Sequence, residues 1–245
     1  MVPNADPIPA PPARNLETKF VLDDRCVPPA RALIEARCRR DPVWPVGIVL
    51  SVYYDTPDWL HLREKLDGAR RKSKVRLRWY ATAGEEAPIG TAFLEHKARR
   101  GARRKKVRID TGIPAAELAE LSLSDPALRS VPQLLRERGL PVSGALLPVF
   151  ELRYLRHRYV DPRTGARLSL DSEIRVSRTN AVRVLPARPF ALRDAVFEVK
   201  GSLDDLPEGL VGLRELGFRK SAFSKYGACA RLLRYGHRSF RGGVA

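Results

Sequence analysis

The chain has 245 residues, of which 44% are hydrophobic, so it can bury the core of one large domain or of two small ones. Its 45 Lys and Arg residues against 28 Asp and Glu give a formal net charge of +17, which favours a polyanionic partner: nucleic acid, an acidic membrane surface or a phosphate-rich small molecule. The three cysteines lack Cys-x-x-Cys spacing, which argues against a disulfide framework or a zinc site and predicts a reducing cytoplasm, and no apolar run approaches the ~20 residues of a membrane span.

The order of residue types predicts one α+β domain over 16–236, built mainly from antiparallel strands with helices around them. Residues 1–15 are rich in Pro and Ala and predict a disordered leader, and 237–245 is expected to be a carboxyl-terminal tail. β-Rich runs separated by turn residues predict strands at 16–22, 47–56, 70–81, 91–100, 103–110, 148–160, 166–176, 179–185 and 195–201. Helix-forming runs predict helices at 28–40, 59–66, 206–217 and 221–236, and two within 113–139.

The stretch RKSKVRLRWY, residues 71–80, raises the question of where so much like charge is placed. Side chains alternate between the two faces of a strand. The apolar members share one face: Val75, Leu77 and Trp79. The basic members share the other: Lys72, Lys74, Arg76 and Arg78, with Arg70 continuing the row. Such a face is either open to water or binds something strongly anionic.

The same alternation returns on other predicted strands, where Glu17 and Lys19, Glu95 and Lys97, and Glu198 and Lys200 share faces. One interpretation is an antiparallel sheet with one solvated face. The other closes the sheet into a barrel, with the charged faces inside and the apolar faces covered by helices. An interior dense with Lys and Arg is unstable when empty, whereas bound phosphates match its charge. Isolated carboxylates beside those phosphates would hold Mg²⁺ or Mn²⁺.

Several motifs, taken together, resemble the catalytic domain of the vacuolar transporter chaperone (VTC) polyphosphate polymerases, within the CYTH/triphosphate tunnel metalloenzyme superfamily. They occur in the family's order between about residues 16 and 235: ETKF, SVYYDTPD, KLDG with KVRLRWY, FLEHK, YLRHRYV with RLSLD, FEVKG and FSKYG. The resemblance implies an antiparallel β-barrel, or tunnel, with a charged interior and flanking helices. It also implies transfer of the γ-phosphate of ATP to a growing polyphosphate chain with Mn²⁺ or Mg²⁺. As a stand-alone domain, the chain resembles the bacterial members.

The resemblance also assigns roles to individual residues. The basic side chains expected at the reacting phosphates are Arg76, Arg78, Lys97, Arg156 and Arg167. The residues expected to bind other substrate phosphates are Lys19, Lys74, Tyr154, Lys200, Ser224 and Lys225. Glu198 is expected to be the main metal ligand and Glu17 the second. One departure stands in FSKYG, since Ala222 replaces a basic residue common in eukaryotic relatives, with Lys220 as a nearby substitute.

Other residues invite a functional interpretation that competes with a structural one. Tyr53 and Tyr54 precede a Thr-Pro turn, where packing is favoured over catalysis. Asp171 is either a metal ligand or a strand-end cap. The four histidines, His61, His96, His157 and His237, show no metal-ligand spacing. Residues 99–108, RRGARRKKVR, predict a basic rim in which the even positions continue the charged face.

Three functions remain open. The first is a metal-dependent polyphosphate polymerase, and the second is a hydrolase of tripolyphosphate or a nucleoside triphosphate on the same fold. The third is a non-catalytic module that binds nucleic acid or another polyanion. Aromatic residues make up only 7% of the chain and none interleaves with the basic strand as a base-stacking platform would, which weighs against nucleic acid. The sequence does not predict an oligomeric state.

Overall fold

The computed structural model describes residues 16–84, 87–184 and 189–236. The predicted leader, the predicted tail and His237 lie outside these residues. The chain divides into two compact units. The first unit comprises Met1–Gly47, Leu155–Ile174 and Leu192–Phe223, and the second comprises Ile48–Tyr154, Arg175–Ala191 and Ser224–Ala245.

The described residues form the following elements. The strands are β1 Leu16–Asp23, β2 Arg39–Arg40, β3 Val46–Asp55, β4 Arg71–Ala81, β5 Pro88–Arg100, β6 Arg103–Pro114, β7 Leu147–Val160, β8 Arg167–Thr179, β9 Phe190–Ala191, β10 Asp194–Gly201 and β11 Arg219–Lys220. The α-helices are α1 Val27–Arg37, α2 Leu60–Leu66, α3 Ala115–Glu120, α4 Pro126–Ser130, α5 Gln133–Glu137 and α6 Lys225–Tyr235. Two 3₁₀ helices span Asp24–Cys26 and Glu208–Leu216.

The strands follow the order β11-β1-β10-β8-β7-β3-β4-β5-β6, with β2 beside β7 and β9 beside β8. Strand pairing is mostly antiparallel, so the expected α+β class is confirmed. In the described residues this order begins at β11 and ends at β6 without returning. The closed barrel is therefore not confirmed and stays a prediction. No helix in the described part of the chain combines the length and apolarity that crossing a membrane requires.

The core of the first unit lies on one face of β1, β10 and β8. Phe20 of β1, Phe197 of β10 and Leu170 of β8 are fully buried there. Ile34 of α1 and Leu210 of the second 3₁₀ helix cover them. Because side chains alternate along a strand, Lys19, Glu198 and Ser169 lie together on the opposite face, directly across from one another in the register.

The core of the second unit lies on one face of β4 and β5. Val75, Leu77 and Trp79 are fully buried, as the alternation in RKSKVRLRWY predicts. The short helices α3, α4 and α5 cover them with apolar side chains that include Leu118, Leu128 and Leu135. Burial of each of these three side chains stabilises the fold by about 2 kcal/mol.

Three local predictions differ from the structure. Residues 113–139 form three short helices instead of two, although Asp125 does open α4 by accepting a hydrogen bond from the Ala127 amide at 2.8 Å. The helix predicted at 28–40 ends at Arg37, because Arg39 and Arg40 pair with β7. The strand predicted at 179–185 is absent over its described residues: β8 runs to Thr179 and the chain then turns.

Asp55, the last residue of β3, fixes two helices of the second unit. One carboxylate oxygen accepts from the backbone amides of Thr56 at 2.8 Å and His61 at 2.9 Å, and the other accepts from Leu62 at 3.1 Å. The hydroxyl of Tyr226 in α6 donates to the same carboxylate. Asp55 is completely buried, so these donors replace the water that it loses on folding.

Candidate functional site

The second unit holds a buried carboxylate surrounded by cations, here called the Glu95 cluster: Glu95, Arg76, Arg78, Lys106 and Arg108. The guanidinium of Arg76 donates to Glu95 at 2.7 and 2.5 Å, and Lys106 lies 3.0 Å from it. Arg78 and Arg108 are 3.9 and 4.0 Å from the same carboxylate. The register explains this arrangement, since Arg76, Glu95 and Arg108 stand directly opposite one another on β4, β5 and β6.

The electrostatics of the Glu95 cluster keep its carboxylate ionised. Burial acts to raise the pKa of Glu95, but the charges of Arg76, Arg78 and Lys106 outweigh burial and hold the pKa well below its usual range. One carboxylate faces several cations, so the cluster retains an excess of positive charge. That excess is what an anionic ligand would neutralise.

Neutral hydroxyl groups hold the two central arginines in place. Arg76 donates to the hydroxyl of Tyr53 at 3.2 Å, while Arg78 donates to Ser51 at 3.2 Å and to Tyr154 at 3.1 Å. Arg78 is only 6% exposed, so the charged face of β4 is not simply open to water at this point. Tyr154, which the resemblance expects to bind a phosphate, thus contacts Arg78.

The amino-terminal end of α6 contributes the next group. Ser224 caps the helix by accepting from the Gly227 amide at 3.2 Å, and Lys74 donates to the same hydroxyl at 3.0 Å. The ammonium of Lys225 lies 4.9 Å from the centre of the Tyr154 ring. Lys97 stands directly opposite Lys74 in the register. The structure therefore places four predicted phosphate-site residues in the second unit with Tyr154.

The first unit holds a separate group, here called the Glu198 cluster: Glu17, Lys19, Arg156, Asp171, Glu198 and Lys200. The ammonium of Lys19 lies 3.0 Å from Glu17 and 3.4 Å from Glu198, and Lys200 lies 3.4 Å from Glu198. Burial acts to lower the pKa of Lys19, but Glu198 and Glu17 outweigh it and raise the pKa above its ordinary value. Lys19 is therefore a permanent cation between two carboxylates.

Arg156 connects this cluster to Asp171. Its guanidinium donates to both carboxylate oxygens of Asp171, and it lies 3.9 Å from Glu198. Arg167 is placed differently: it is exposed, at the start of β8, directly opposite Lys200. The structure brings Arg156, Lys19, Glu17 and Glu198 together, and leaves Arg167 at the margin of the group.

The surroundings of Glu17 and Glu198 show what kind of metal ion these two carboxylates could hold. No group of three or more His, Cys, Asp or Glu side chains is arranged to hold a metal in the described residues. Mg²⁺ is commonly held by one or two carboxylates together with substrate phosphates. Two glutamates that already share the positive charge of Lys19 fit a cation that arrives with phosphates.

Four residues make contacts that the sequence does not reveal. Tyr53 packs against Phe150 and Tyr226, as its sequence context predicts, and its hydroxyl also accepts from Arg76. The sequence assigns no definite role to Glu95, which is the centre of its cluster. The sequence predicts Lys106 only as a continuation of the charged face, and in the structure its ammonium reaches Glu95. Arg156 engages both oxygens of Asp171, and the role of Asp171 as a metal ligand or a strand-end cap stays a prediction.

The described histidines belong to neither cluster. His96 is buried on the face of β5 opposite Glu95, and its Nε2 is 2.8 Å from the hydroxyl of Ser73. His61 is buried in α2, with its Nδ1 3.3 Å from the Tyr54 carbonyl oxygen. His157 lines a cavity of about 190 Å³ in the first unit with Arg31, Glu35 and Tyr159. In the described residues, no histidine joins a metal-binding group.

Comparisons with known proteins give one family. A family model described as the VTC domain matches residues 15–234. Among solved structures, the chain is similar to a protein from Bacillus halodurans titled a "putative adenylate cyclase", with 16% identity over 86% of this chain and 93% of that one and a TM-score of 0.46. A protein from Vibrio parahaemolyticus with the same description gives 11% identity over 87% of this chain and 97% of that one, with a TM-score of 0.44. No curated protein sequence matched.

Proposed function

The chain belongs to the VTC domain family, and we propose that it is a metal-dependent polyphosphate polymerase that transfers the γ-phosphate of ATP to a growing polyphosphate chain. The observation that carries this proposal is the Glu95 cluster. Two arginines are held by buried neighbours on a sheet face where positive charge exceeds negative charge. Phosphate oxygens are the ligands that guanidinium groups bind in a bidentate manner.

The reaction needs charge stabilisation and positioning rather than covalent chemistry by the protein. The bond between the γ-phosphorus and its bridging oxygen breaks, ADP leaves with that oxygen, and a terminal oxygen of the polyphosphate forms the new bond. In the second unit, Arg76 and Arg78 would bind the transferred phosphate and offset its charge, assisted by Lys97. Tyr53, Ser51 and Tyr154 keep the guanidinium groups oriented, so little reorganisation is needed when charge shifts.

Other basic residues would bind the remaining phosphates. In the second unit these are Lys74, Ser224 and Lys225, and the hydroxyl of Tyr154 would donate a hydrogen bond to a phosphate oxygen. In the first unit they are Lys19, Lys200, Arg156 and Arg167. A Mn²⁺ or Mg²⁺ ion held by Glu198 and Glu17 would neutralise charge on phosphate oxygens. Lys19, which pairs with both glutamates in this structure, would bind a phosphate beside that ion.

A hydrolase of tripolyphosphate or nucleoside triphosphates is the second candidate, and one observation favours it. Ala222 is exposed, and Lys220, the substitute expected from the sequence, donates to the Asp204 carbonyl at 2.5 Å. This segment then offers only the Lys220 ammonium, already engaged by a backbone carbonyl, to help retain a long chain. Water instead of a polyphosphate end would attack the terminal phosphate in that case.

The test is to incubate the purified protein with ATP labelled on its γ-phosphate and with Mn²⁺ or Mg²⁺. The polymerase proposal predicts labelled polymer on a polyacrylamide gel, one ADP for each phosphate incorporated, and no product after chelation. Labelled orthophosphate without polymer would establish the hydrolase instead. Binding of triphosphate without turnover under any metal would leave only a binding module.

A further inference from the structure

The antiparallel strands β4, β5 and β6 carry three rows of facing side chains on the face that bears Glu95. The inner row belongs to the Glu95 cluster and comprises Arg76, Glu95 and Arg108. The middle row comprises Lys74, Lys97 and Lys106. The outer row comprises Lys72, Arg99 and Arg104, and it lies nearest the turn at Gly101.

The outer row has unbalanced charge. In the part of the chain that the structure describes, no carboxylate pairs with any of its three side chains, and Arg99 donates only to the Gly101 carbonyl at 2.7 Å. Like charges that stand directly opposite in a sheet are destabilising. Arg99 and Arg104 are exposed and Lys72 is half-buried, so an external anion can reach all three.

The spacing suits a linear chain of negative charges. Neighbouring strands lie about 4.8 Å apart, and residues on one face recur about every 6.7 Å along a strand. The outer row is therefore one step from the middle row and two steps from the inner row, which holds Glu95. On the opposite face of β4, β5 and β6, the basic residues do not continue inward from the turn. The row next to the outermost one there is Ser73, Ala98 and Lys105, and the row after that is Val75, His96 and Val107.

We propose that the outer row continues the inner and middle rows as a basic track, and that Lys72, Arg99 and Arg104 bind inorganic polyphosphate beyond the phosphates held at the Glu95 cluster. The identity of the polymer rests on the proposed function. The track makes affinity depend on chain length, because a short polyphosphate fills the Glu95 cluster alone and a long one also reaches Lys72, Arg99 and Arg104. Single-stranded nucleic acid is the rival ligand, but residues 97–106 contain no aromatic side chain for base stacking.

Two triple variants, each with one substitution in β4, one in β5 and one in β6, test the track. Lys72→Gln, Arg99→Gln and Arg104→Gln together remove the outer row. Arg71→Gln, Arg100→Gln and Arg103→Gln remove the same charge from residues at the next register positions, on the opposite face. Binding of tripolyphosphate and of long-chain polyphosphate is then measured by titration calorimetry at several salt concentrations, with circular dichroism to verify folding.

The outer-row variant should bind long chains about tenfold more weakly, at roughly 0.5 kcal/mol for each exposed ion pair lost. The slope of log affinity against log salt concentration should become shallower by about two to three, slightly less than one for each of the three cations removed. Its affinity for tripolyphosphate should not change, and the opposite-face variant should behave as the wild type does with both ligands.

The remaining outcomes separate this inference from the proposed function. Equal losses in the two variants would mean a general electrostatic field and would overturn the track. Wild-type protein that binds tripolyphosphate as tightly as long chains would overturn it too, while leaving the proposed function intact. Tight long-chain binding through the outer row without any tripolyphosphate binding would support the track and refute the polymerase. A single-stranded oligonucleotide that displaces long-chain polyphosphate at lower concentration than polyphosphate itself would assign the surface to nucleic acid.

Discussion

The guanidinium of Arg156 grips the carboxylate of Asp171 with two hydrogen bonds, at 2.5 Å and 2.6 Å. Asp171 is completely buried and Arg156 is mostly buried, so neither charge is well solvated. The same guanidinium is 3.9 Å from Glu198. Asp171 therefore holds Arg156 beside the predicted metal ligand, which makes it a positioning residue for Arg156.

Asp171→Asn should weaken the protein in two measurable ways. The buried guanidinium of Arg156 loses its counter-charge, so the free energy of unfolding should fall by roughly 3 kcal/mol in urea titrations. The affinity for tripolyphosphate should also fall, because Arg156 is no longer held in one orientation. Asp205→Asn is the matched control, since it breaks an exposed ion pair with Arg214 and should cost less than about 1 kcal/mol. Equal costs for the two variants would contradict the positioning role.

Replacing Arg76 and Arg78 with Ala should abolish triphosphate binding, which titration calorimetry can measure. From the sequence alone, relief of repulsion would be expected to leave the melting temperature unchanged or raise it. The structure reverses that expectation, because Glu95 is buried and depends on these arginines for its ionised state. The melting temperature should therefore fall.

Glu95→Gln, added to the two arginine substitutions, provides the control for this cause. The triple variant lacks the stranded carboxylate, so it should recover part of the lost stability without recovering triphosphate binding. Arg138→Ala removes an exposed arginine outside both clusters and should change neither quantity. A triple variant less stable than the double variant would show that Glu95 is not the source of the loss.

Glu198→Gln should remove metal-dependent turnover while phosphate binding without metal survives. The amide keeps the shape of the side chain but lacks the negative charge that a hard divalent cation needs. Turnover is measured against Mn²⁺ concentration, and tripolyphosphate binding is measured in the presence of a chelator. Glu208→Gln, an exposed pair with Arg163, is the control. Full Mn²⁺ stimulation in Glu198→Gln would assign the metal elsewhere, with Glu17 the next residue to test.

Lys225→Ala should shorten the polymer or stop its growth, and Ala222→Lys should lengthen it. Lys225 opens α6 beside the capping hydroxyl of Ser224, where backbone amides and the ammonium together favour a phosphate. Polymer length is read on a stained polyacrylamide gel. Because Lys225 packs against Tyr154 without a role in the core, circular dichroism of the variant should match the wild type. Products of unchanged length in both variants would remove this end of α6 from chain binding.

Stability should decline as the pH falls below about 6.5, the usual pKa of histidine. Burial, with the nearby charges of His61 and Lys105, lowers the pKa of His96 in the folded protein. The unfolded chain then binds a proton that the folded protein does not, so the stabilisation is complete above pH 6.5 and is lost below it. Between pH 7.5 and 5.5, the melting temperature of His96→Asn should fall less than that of the wild type. The reason is that the variant takes up on the order of one proton fewer when it unfolds. Superimposable pH profiles would refute this. Burial lowers the pKa of His157 as well, so His157→Asn should remove a second, separate part of the dependence of stability on pH.

The parts of the structure that sequence predicts best are those governed by alternation. In β4, placing Val75, Leu77 and Trp79 in the core follows from their spacing, and the grouping of Arg76 with Arg78 follows from the same count. The role of Glu95 could not be obtained in this way, because it depends on which strands become neighbours. Only the register of β4, β5 and β6 reveals that one carboxylate faces Arg76 and Arg108 at once.

The sequence also misled where two signals conflict. Residues 113–139 are helix-forming throughout, but Pro126 and Pro132 start new helices, so short helices replace longer ones. Beyond Thr179, β-forming residues continue, yet the side-chain amide of Asn180 donates to the carbonyl groups of Leu123 and Pro148. These contacts secure a turn that no local pattern of residues specifies.

The hydrogen bond from Tyr226 to Asp55 joins residues that are 171 positions apart in the chain. During synthesis β3 and α2 are made early, and the carboxylate of Asp55 then has only its nearby backbone amides as donors. A contact that closes so long a loop is slow to form. The buried contacts of Asp55 can therefore be completed only after α6 has been made, and until then the ring of Phe150 lacks the Tyr226 ring that stacks on it.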